Sequence, residues 1–439
     1  METVSGWNLE EADREMLERL LIETFSYFTR EINKKNGLIY DKSQKGAPCS
    51  IAAVGLGLSC YIVGDKKGLI SRAEAADKTL TILRFFRDGH QGPEQDAMGY
   101  KGFYYHFLDM ESGKRVWNCE LSTVDSAFFI AGVLSCVQYY KGETDREKEI
   151  REIGDHLYRR IDWIWALNGG LTICHGWKPN TGFLKYYWDK DYSEAHILYI
   201  LALGSPTYPI TKDGYDKWIS TFFVKKMYHI EYLHAGPLFI HQLSQIWIDF
   251  RGISDDFNSR SGFDYFENSR RATCIQQQYA IENRNGFAHY GKHCWGFTAS
   301  DGPGYKRLTI DGKKRVFYDY VARGIPFGPD DGTVSPWAVV ASLPFAPDIV
   351  IETIRHAIEA LNLTNPEWFG FNASFNPTFP EKTRNPNGWV SPYKFGINEG
   401  PIVLMIENFF SGLIWNLMKD CPYILSGLRK AGFKGGWMQ

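Results

Sequence analysis

The stretch CSIAAVGLGLSCYIVG, residues 49–64, contains no Asp, Glu, Lys or Arg. Wound as a helix it is apolar around its whole circumference, so it must be enclosed by protein on every side. Working outward from it, five more segments share this character: 121–140, 192–204, 236–248 (GPLFIHQLSQIWI), 334–343 (VSPWAVVASL) and 400–417. Two of these five are also free of charge, and the other three hold one carboxylate each: Asp125, Glu194 and Glu407.

The segments between them read differently. Residues 8–34, 71–89, 145–167, 213–227, 264–283 and 347–362 are charged and amphipathic at the helical period. Asn8 with Glu11, and Ser71 with Glu74, have the spacing of capping boxes. Polar-faced helices alternating with enclosed ones predict an all-α fold of two concentric rings, an (α/α)6 barrel of six helical hairpins. An α-solenoid would alternate in the same way but would repeat a sequence motif, and none is evident. No Pro/Gly/Ser linker or shift of composition divides the chain, so the expectation is one barrel domain over 1–439.

The bulk numbers exclude some classes of function. Of 439 residues 44% are hydrophobic and 15% aromatic, enough for a large core and too many for a disordered chain. A net charge of −2 gives no electrostatic reason to expect nucleic acid. The eight cysteines are scattered without metal-site spacing, so neither a metal nor any other cofactor is expected. No uninterrupted apolar run has membrane-spanning length. METVSGWNLEEADREML lacks a basic region followed by an apolar one, which makes a cytoplasmic location the expectation. The oligomeric state is not legible.

Connections from a charged helix to the next enclosed one are long: 90–120, 168–191 and 284–333. All three emerge where the enclosed helices begin, and long loops gathered on one face of a rigid scaffold are where binding sites are expected. Within the last of them, 307–324 (RLTIDGKKRVFYDYVARG) predicts a small β-hairpin on that face. Carboxylates collect there as well: Glu120 and Asp125 in NCELSTVD, Glu194 in YSEAHILYILALG, Asp301 in ASDGPGYK and Glu399 in INEGPIVLMIEN.

Each has a plainer reading. Asp125 can complete a cap with Ser122, and Glu194 can be a first-turn acid behind a Ser193 cap. Asp301 can serve only its Asp-Gly turn, and Glu407 suits the satisfaction of buried polar groups. A mouth lined with acids and aromatics nevertheless suits glycoside hydrolysis, in which one carboxylic acid protonates the leaving oxygen and an opposing carboxylate activates water or attacks the sugar. Tyr104, Tyr105, His106, Trp177, Tyr187, Trp188 and Trp295 lie in the same loops, as candidate contacts to sugar. His241, in a helix otherwise free of titratable groups, is either a sugar contact or a hydrogen-bonded core histidine.

Seven blocks together resemble the glycoamylase-like family, bacterial (α/α)6 proteins that include endo-β-1,2-glucanases. They are GFYYHFLDMESGKRVWNCELSTVDSA (102–127), YSEAHILYILALGSPT (192–207), GPLFIHQLSQIWIDFRGI (236–253), DYFENSRRAT (264–273), WGFTASDGPGY (295–305), DDGTVSPWAVVASLPFAPDIV (330–350) and GINEGPIVLMIENFFSGLIW (396–415). The resemblance implies an inverting hydrolase acting on β-1,2-linked glucans or glucooligosaccharides. It implies that Glu194 is the general acid and that Glu120 and Asp125 line the sugar subsites. The identity of the base stays open among Asp125, Asp301 and Glu399. Family glucanases usually carry further acids in the block where this chain has Asn118 and Ser122. That departure leaves an exo-acting or glycosyl-transferring enzyme on a related glucan, or a non-catalytic glucan-binding protein, as the alternatives. A sugar epimerase is more distant, because His106, His234 and His241 are not evidently paired.

Overall fold

A computed structural model describes residues 3, 6–381 and 387–439; part of the amino-terminal stretch read above for a leader lies outside them. The chain is mostly helical. All six apolar segments contain helix: Ile51–Lys66, Thr123–Tyr139, His196–Gly204, Phe239–Gln242 continued by a 3-10 turn at Leu243–Ile246, Pro336–Val340, and Gly396–Phe410. So do the six charged segments, in Glu11–Phe25, Arg72–Asp88, Asp145–Arg159, Lys212–Ile219, Tyr265–Glu282 and Pro347–Glu359.

Burial follows the two kinds. Ala52, Ala131 and Ala341 are fully enclosed. On the charged helices Glu11 and Glu359 are exposed, while Lys78 and Arg151 are half-buried: Arg151 donates to Tyr140 O (2.7 Å) and Gly142 O (2.8 Å), and the Lys78 ammonium lies over the Tyr61 ring.

Small residues set the spacing of the apolar helices. A Cβ built at Gly132 would stand 2.0 Å from the Gly55 carbonyl oxygen, and one at Gly55 would stand 2.3 Å from that of Phe128, so these two helices touch backbone to backbone. At Gly400 the close neighbour is a side chain instead: a Cβ there would stand 2.6 Å from Leu56 Cβ. Side-chain hydrogen bonds link further pairs of apolar segments. Ser244 Oγ donates to Glu194 O (2.6 Å) and accepts from Ile197 N (3.1 Å). Gln242 Nε2 donates to Ala338 O (2.6 Å), and Asn408 Nδ2 donates to Ile246 O (2.9 Å). Each supplies a donor or acceptor to backbone that its own short helix leaves unsatisfied.

Several expectations need correction. Asn8 caps nothing, since the first helix begins at Glu11 after an N-cap Glu10 that makes no side-chain bond. Ser71 does cap, accepting from Glu74 N at 3.2 Å. The 213–227 helix ends at Ile219, and Val224–Met227 forms a strand paired with Ile230–Leu233. The 400–417 helix starts earlier, at Gly396, and breaks by 82° before Leu413–Lys419. Two helices went unread, Asp256–Ser261 and Pro422–Ala431; the second packs on His196–Gly204 through Gly427, whose Cβ would stand 2.0 Å from Ile200 O. A five-stranded sheet was also unread. Its order is Gly99–Tyr100, Phe103–Tyr105, Leu121–Ser122, Gly176–Lys178 and Gly182–Phe183, knitting the 90–120 and 168–191 connections together. Lys306–Ile310 and Lys313–Phe317 pair antiparallel. Among the described residues no single helix is long and apolar enough to cross a membrane.

Candidate active site

The starts of all six apolar helices contribute to the wall of one cleft of about 650 Å³. Ser50, Ser122, Glu194, Phe239, Trp337 and Asn398 each line it. That volume is typical of a site for a small organic ligand.

The acidic side of the cleft is built by the sheet. Leu121–Ser122 pairs with Phe103–Tyr105, and His106 N donates to Glu120 O at 3.0 Å, which brings the two side chains together. His106 Nδ1 then lies 2.9 Å from Glu120 Oε1, and its Nε2 lies 3.8 Å from Asp125 Oδ2. Ser122 caps the Thr123–Tyr139 helix, accepting from Asp125 N at 3.2 Å, and its hydroxyl donates to the Asp125 carboxylate. The cap reading and the site reading of Asp125 are therefore both true.

Charge in this cluster is arranged around one imidazole. Burial works against a charged His106, but the Asp125 carboxylate, the bond to Glu120 and the charges of Glu120 and Asp41 outweigh it and lift His106 to about 9. The same hydrogen bond from His106 lowers Glu120 to about 2, against the opposing effect of burial. Asp41 goes the other way. Burial raises it to about 6, moderated by His106 and Lys42.

Glu194 stands apart from them. Its helix begins only at His196 with Ala195 as N-cap, so Ser193 is not a cap and Glu194 precedes the helix rather than occupying its first turn. The surrounding protein, with a further push from Asp125, raises Glu194 to about 7. Trp188 lines the same cleft, stacked on His175 with ring centroids 3.8 Å apart and donating its indole N–H to Thr123 Oγ1 (3.1 Å). Asp301 lines the cleft too; burial raises its carboxyl, and it accepts from Ser391 Oγ at 2.8 Å. The Asp301 loop is pinned by Arg323. This fully buried guanidinium pairs with Asp331 (2.8 Å) and donates to Ser300 O (2.7 Å) and Asp301 O (3.4 Å).

Glu120, Asp125, Glu194, His106, Trp188 and Asp301 therefore share one cleft. Seven other expected residues do not line it: Tyr104 is buried with its hydroxyl against Arg160, Tyr187 accepts from Asn168 Nδ2 at 3.0 Å, and five more lie elsewhere. Tyr105 is buried under the Arg115 guanidinium. Trp177 packs on Tyr100 and Trp165. His241 is a core histidine whose Nε2 is 3.2 Å from Ala235 O, held neutral by burial that lowers it to about 4. Trp295 is enclosed, with its indole N–H donated to Thr353. Glu399 turns away from the cleft that its neighbour Asn398 lines; burial raises it to about 8 despite Lys394. Glu407 bonds Ser411 Oγ (2.6 Å) and faces Lys67, a structural role.

Asp41, Lys42, Trp117, His175, Asp319, Tyr320 and Asn398 also line the cleft and were missed. Asp41 and Lys42 sit just before the first apolar helix, the position that drew attention to Glu120 and Glu194, but in a connection short enough to pass over. Among the described residues no group of three or more His, Cys, Asp or Glu could hold a metal ion.

Comparison with known proteins gives consistent neighbours. The Glycoamylase family model, described as "Putative glucoamylase", matches residues 185–422. A Bacteroides uniformis protein solved under the same description is 31% identical, with a TM-score of 0.83 over 98% of this chain and 100% of that one. A β-1,2-glucanase from Parabacteroides distasonis is 25% identical, with a TM-score of 0.81 over 97% of this chain and 60% of that one. An exo β-1,2-glucooligosaccharide sophorohydrolase (non-reducing end) from Parabacteroides distasonis is 26% identical over 98% of this chain, and the chain spans 59% of that curated relative's length. With more than half of its residues inside the family model and a 31% identical relative matched along its whole length, the chain belongs to the Glycoamylase family.

Proposed function

We propose that this chain is an inverting glycoside hydrolase acting on β-1,2-linked glucose chains, with Glu194 as general acid and Asp125 as general base. The carrying observation is the contrast between carboxyls in one cleft. Glu194, raised to about 7, holds a proton near neutrality, whereas Glu120 is held ionised by His106. Titratable groups whose environments push them apart mark the acid and base sides of a site. Glu194 gives its proton to the glycosidic oxygen as that bond breaks. A water on the opposite face attacks the anomeric carbon and passes its proton to Asp125, so the configuration inverts. Glu120 is occupied by its bond to His106 Nδ1, whose other nitrogen faces Asp125, and so positions that imidazole while Asp125 takes the proton.

The substrate class rests on the relatives, a β-1,2-glucanase and an exo-acting β-1,2-glucooligosaccharide hydrolase. The scaffold is read as one (α/α)6-barrel domain over 1–439, with Lys306–Phe317 as a hairpin on the cleft face. The bonds joining neighbouring apolar helices and the convergence of six helix starts on one cleft support it.

The test is incubation with linkage-defined glucooligosaccharides, following products by chromatography and the newborn anomer by NMR. Release of α-configured product from β-1,2-linked chains is expected. Retained configuration overturns the assignment of Asp125. Protection of the protein by glucan in a melting assay, with no bond cleaved, overturns hydrolysis.

A further inference from the structure

Trp117 stands at the rim of this cleft and is 65% exposed; among the described residues no other tryptophan is as open. Its backbone is left-handed (φ +58°), and so is that of Asn118 (φ +51°). Two successive non-glycine residues in that region are costly for side chains bearing a Cβ, and such strain persists only where the surroundings impose it. They do here. Val116 N donates to Phe107 O (3.2 Å), Cys119 N to Val116 O (3.1 Å), and Arg115 Nε to Cys119 O (2.6 Å), fixing both ends of the turn.

The ring is supported from behind. Phe107 lies 5.1 Å from Trp117 between ring centroids, and stacks on His106 at 4.1 Å and 9°. Phe107 meets the indole at a tilt of 58°, and most of the ring stays open beside a cleft of carboxylates. A flat apolar surface next to hydrogen-bonding groups matches a pyranose, with C–H bonds on its faces and hydroxyls around its edge. Phe107 intervenes between Trp117 and His106, so a sugar on this platform is not the one attacked beside Asp125.

We infer that Trp117 is the stacking platform of an outer glucosyl subsite, removed from the scissile bond, and that it makes turnover favour longer chains. The inference rests on the glycosidase reading. Binding energy gained by a remote sugar raises kcat/KM only for substrates long enough to reach it. Trp117→Ala is expected to lower kcat/KM about 5–10-fold on long oligomers, the size of an aromatic contact, and to change it by less than about twofold on the shortest oligomer cleaved. Trp117→Phe keeps most of the parental preference. Equal loss on every length, or no loss on long chains, overturns the inference while leaving the glycosidase reading intact. A parent protein that cleaves none of the series overturns both. Should the Ala variant fail to fold, the comparison rests on Trp117→Phe and Trp117→Leu, where only the aromatic ring is expected to preserve the length preference.

Discussion

His106 lies 2.9 Å from Glu120 on one edge of its ring and 3.8 Å from Asp125 on the other, so a single imidazole stands between two carboxylates of the same loop-to-helix junction. Replacing it by Gln keeps a hydrogen-bonding side chain but removes the charge. Hydrogen bonds to charged groups contribute about 1.5–3 kcal/mol, so His106→Gln is expected to lower stability within that range. Its kcat should fall more than its substrate binding changes, and Glu120 should titrate higher than in the parent. Steady-state kinetics with calorimetric unfolding check this. Unchanged kcat with raised KM would instead make His106 a simple sugar contact.

Glu194→Gln should cost about 10²–10⁴-fold in kcat while leaving glucan binding in place, because the amide keeps the shape without an acidic proton. The parent's kcat should decline as pH rises through about 7, where Glu194 loses its proton. Stability follows the same group. A carboxyl raised from 4.5 to about 7 favours folding most below 4.5, and that contribution is lost as pH rises through 7. The Gln variant should show less of this loss, measured as melting temperature against pH.

Arg323→Met strands the buried Asp331 carboxylate and should destabilise by about 3–5 kcal/mol. Replacing both partners by apolar residues should recover much of that stability, since an unpaired buried charge is worse than none. Activity should stay low in the double variant, because Ser300 and Asp301 have still lost the donor that holds their carbonyls. Urea titrations alongside kinetics separate the two effects.

Gly57→Val tests the enclosure of the first apolar helix. A Cβ there would stand 2.2 Å from Ile39 Cδ1 and 3.0 Å from Phe28 Cδ1, and the overpacking is expected to cost about 1–3 kcal/mol. Gly132→Ala should cost more despite adding one carbon, because it meets the backbone of Gly55, which cannot rotate away. Equal midpoints in urea for the two variants would refute the backbone contact.

What the sequence made legible follows from where its signal lies. Absence of charge over 49–64 and its five counterparts is a strong statement about surroundings, and all six segments contain enclosed helix. Glu120, Asp125 and Glu194 could be found because each stands at or near the start of such a segment. Helix length was poorly legible: Pro336–Val340 is five residues long inside an apolar stretch of ten, since tertiary bonds such as that from Gln242 satisfy its backbone. The direction of a side chain was not legible at all. Asn398 and Glu399 are adjacent, yet only Asn398 lines the cleft, a difference of one helical step that composition cannot report. The sheet beneath Glu120 joins strands of two or three residues from distant loops, too short to leave a period in the sequence.

The Ser244 hydroxyl has a consequence for how this protein would fail on heating. It holds Glu194 O and Ile197 N at once, indexing both the acid and the start of its helix to a neighbouring segment. The helix start and Glu194 are therefore released together, when the two segments part. Catalysis and tertiary structure should disappear in a single thermal transition, with no cooler interval in which an intact but sluggish enzyme accumulates.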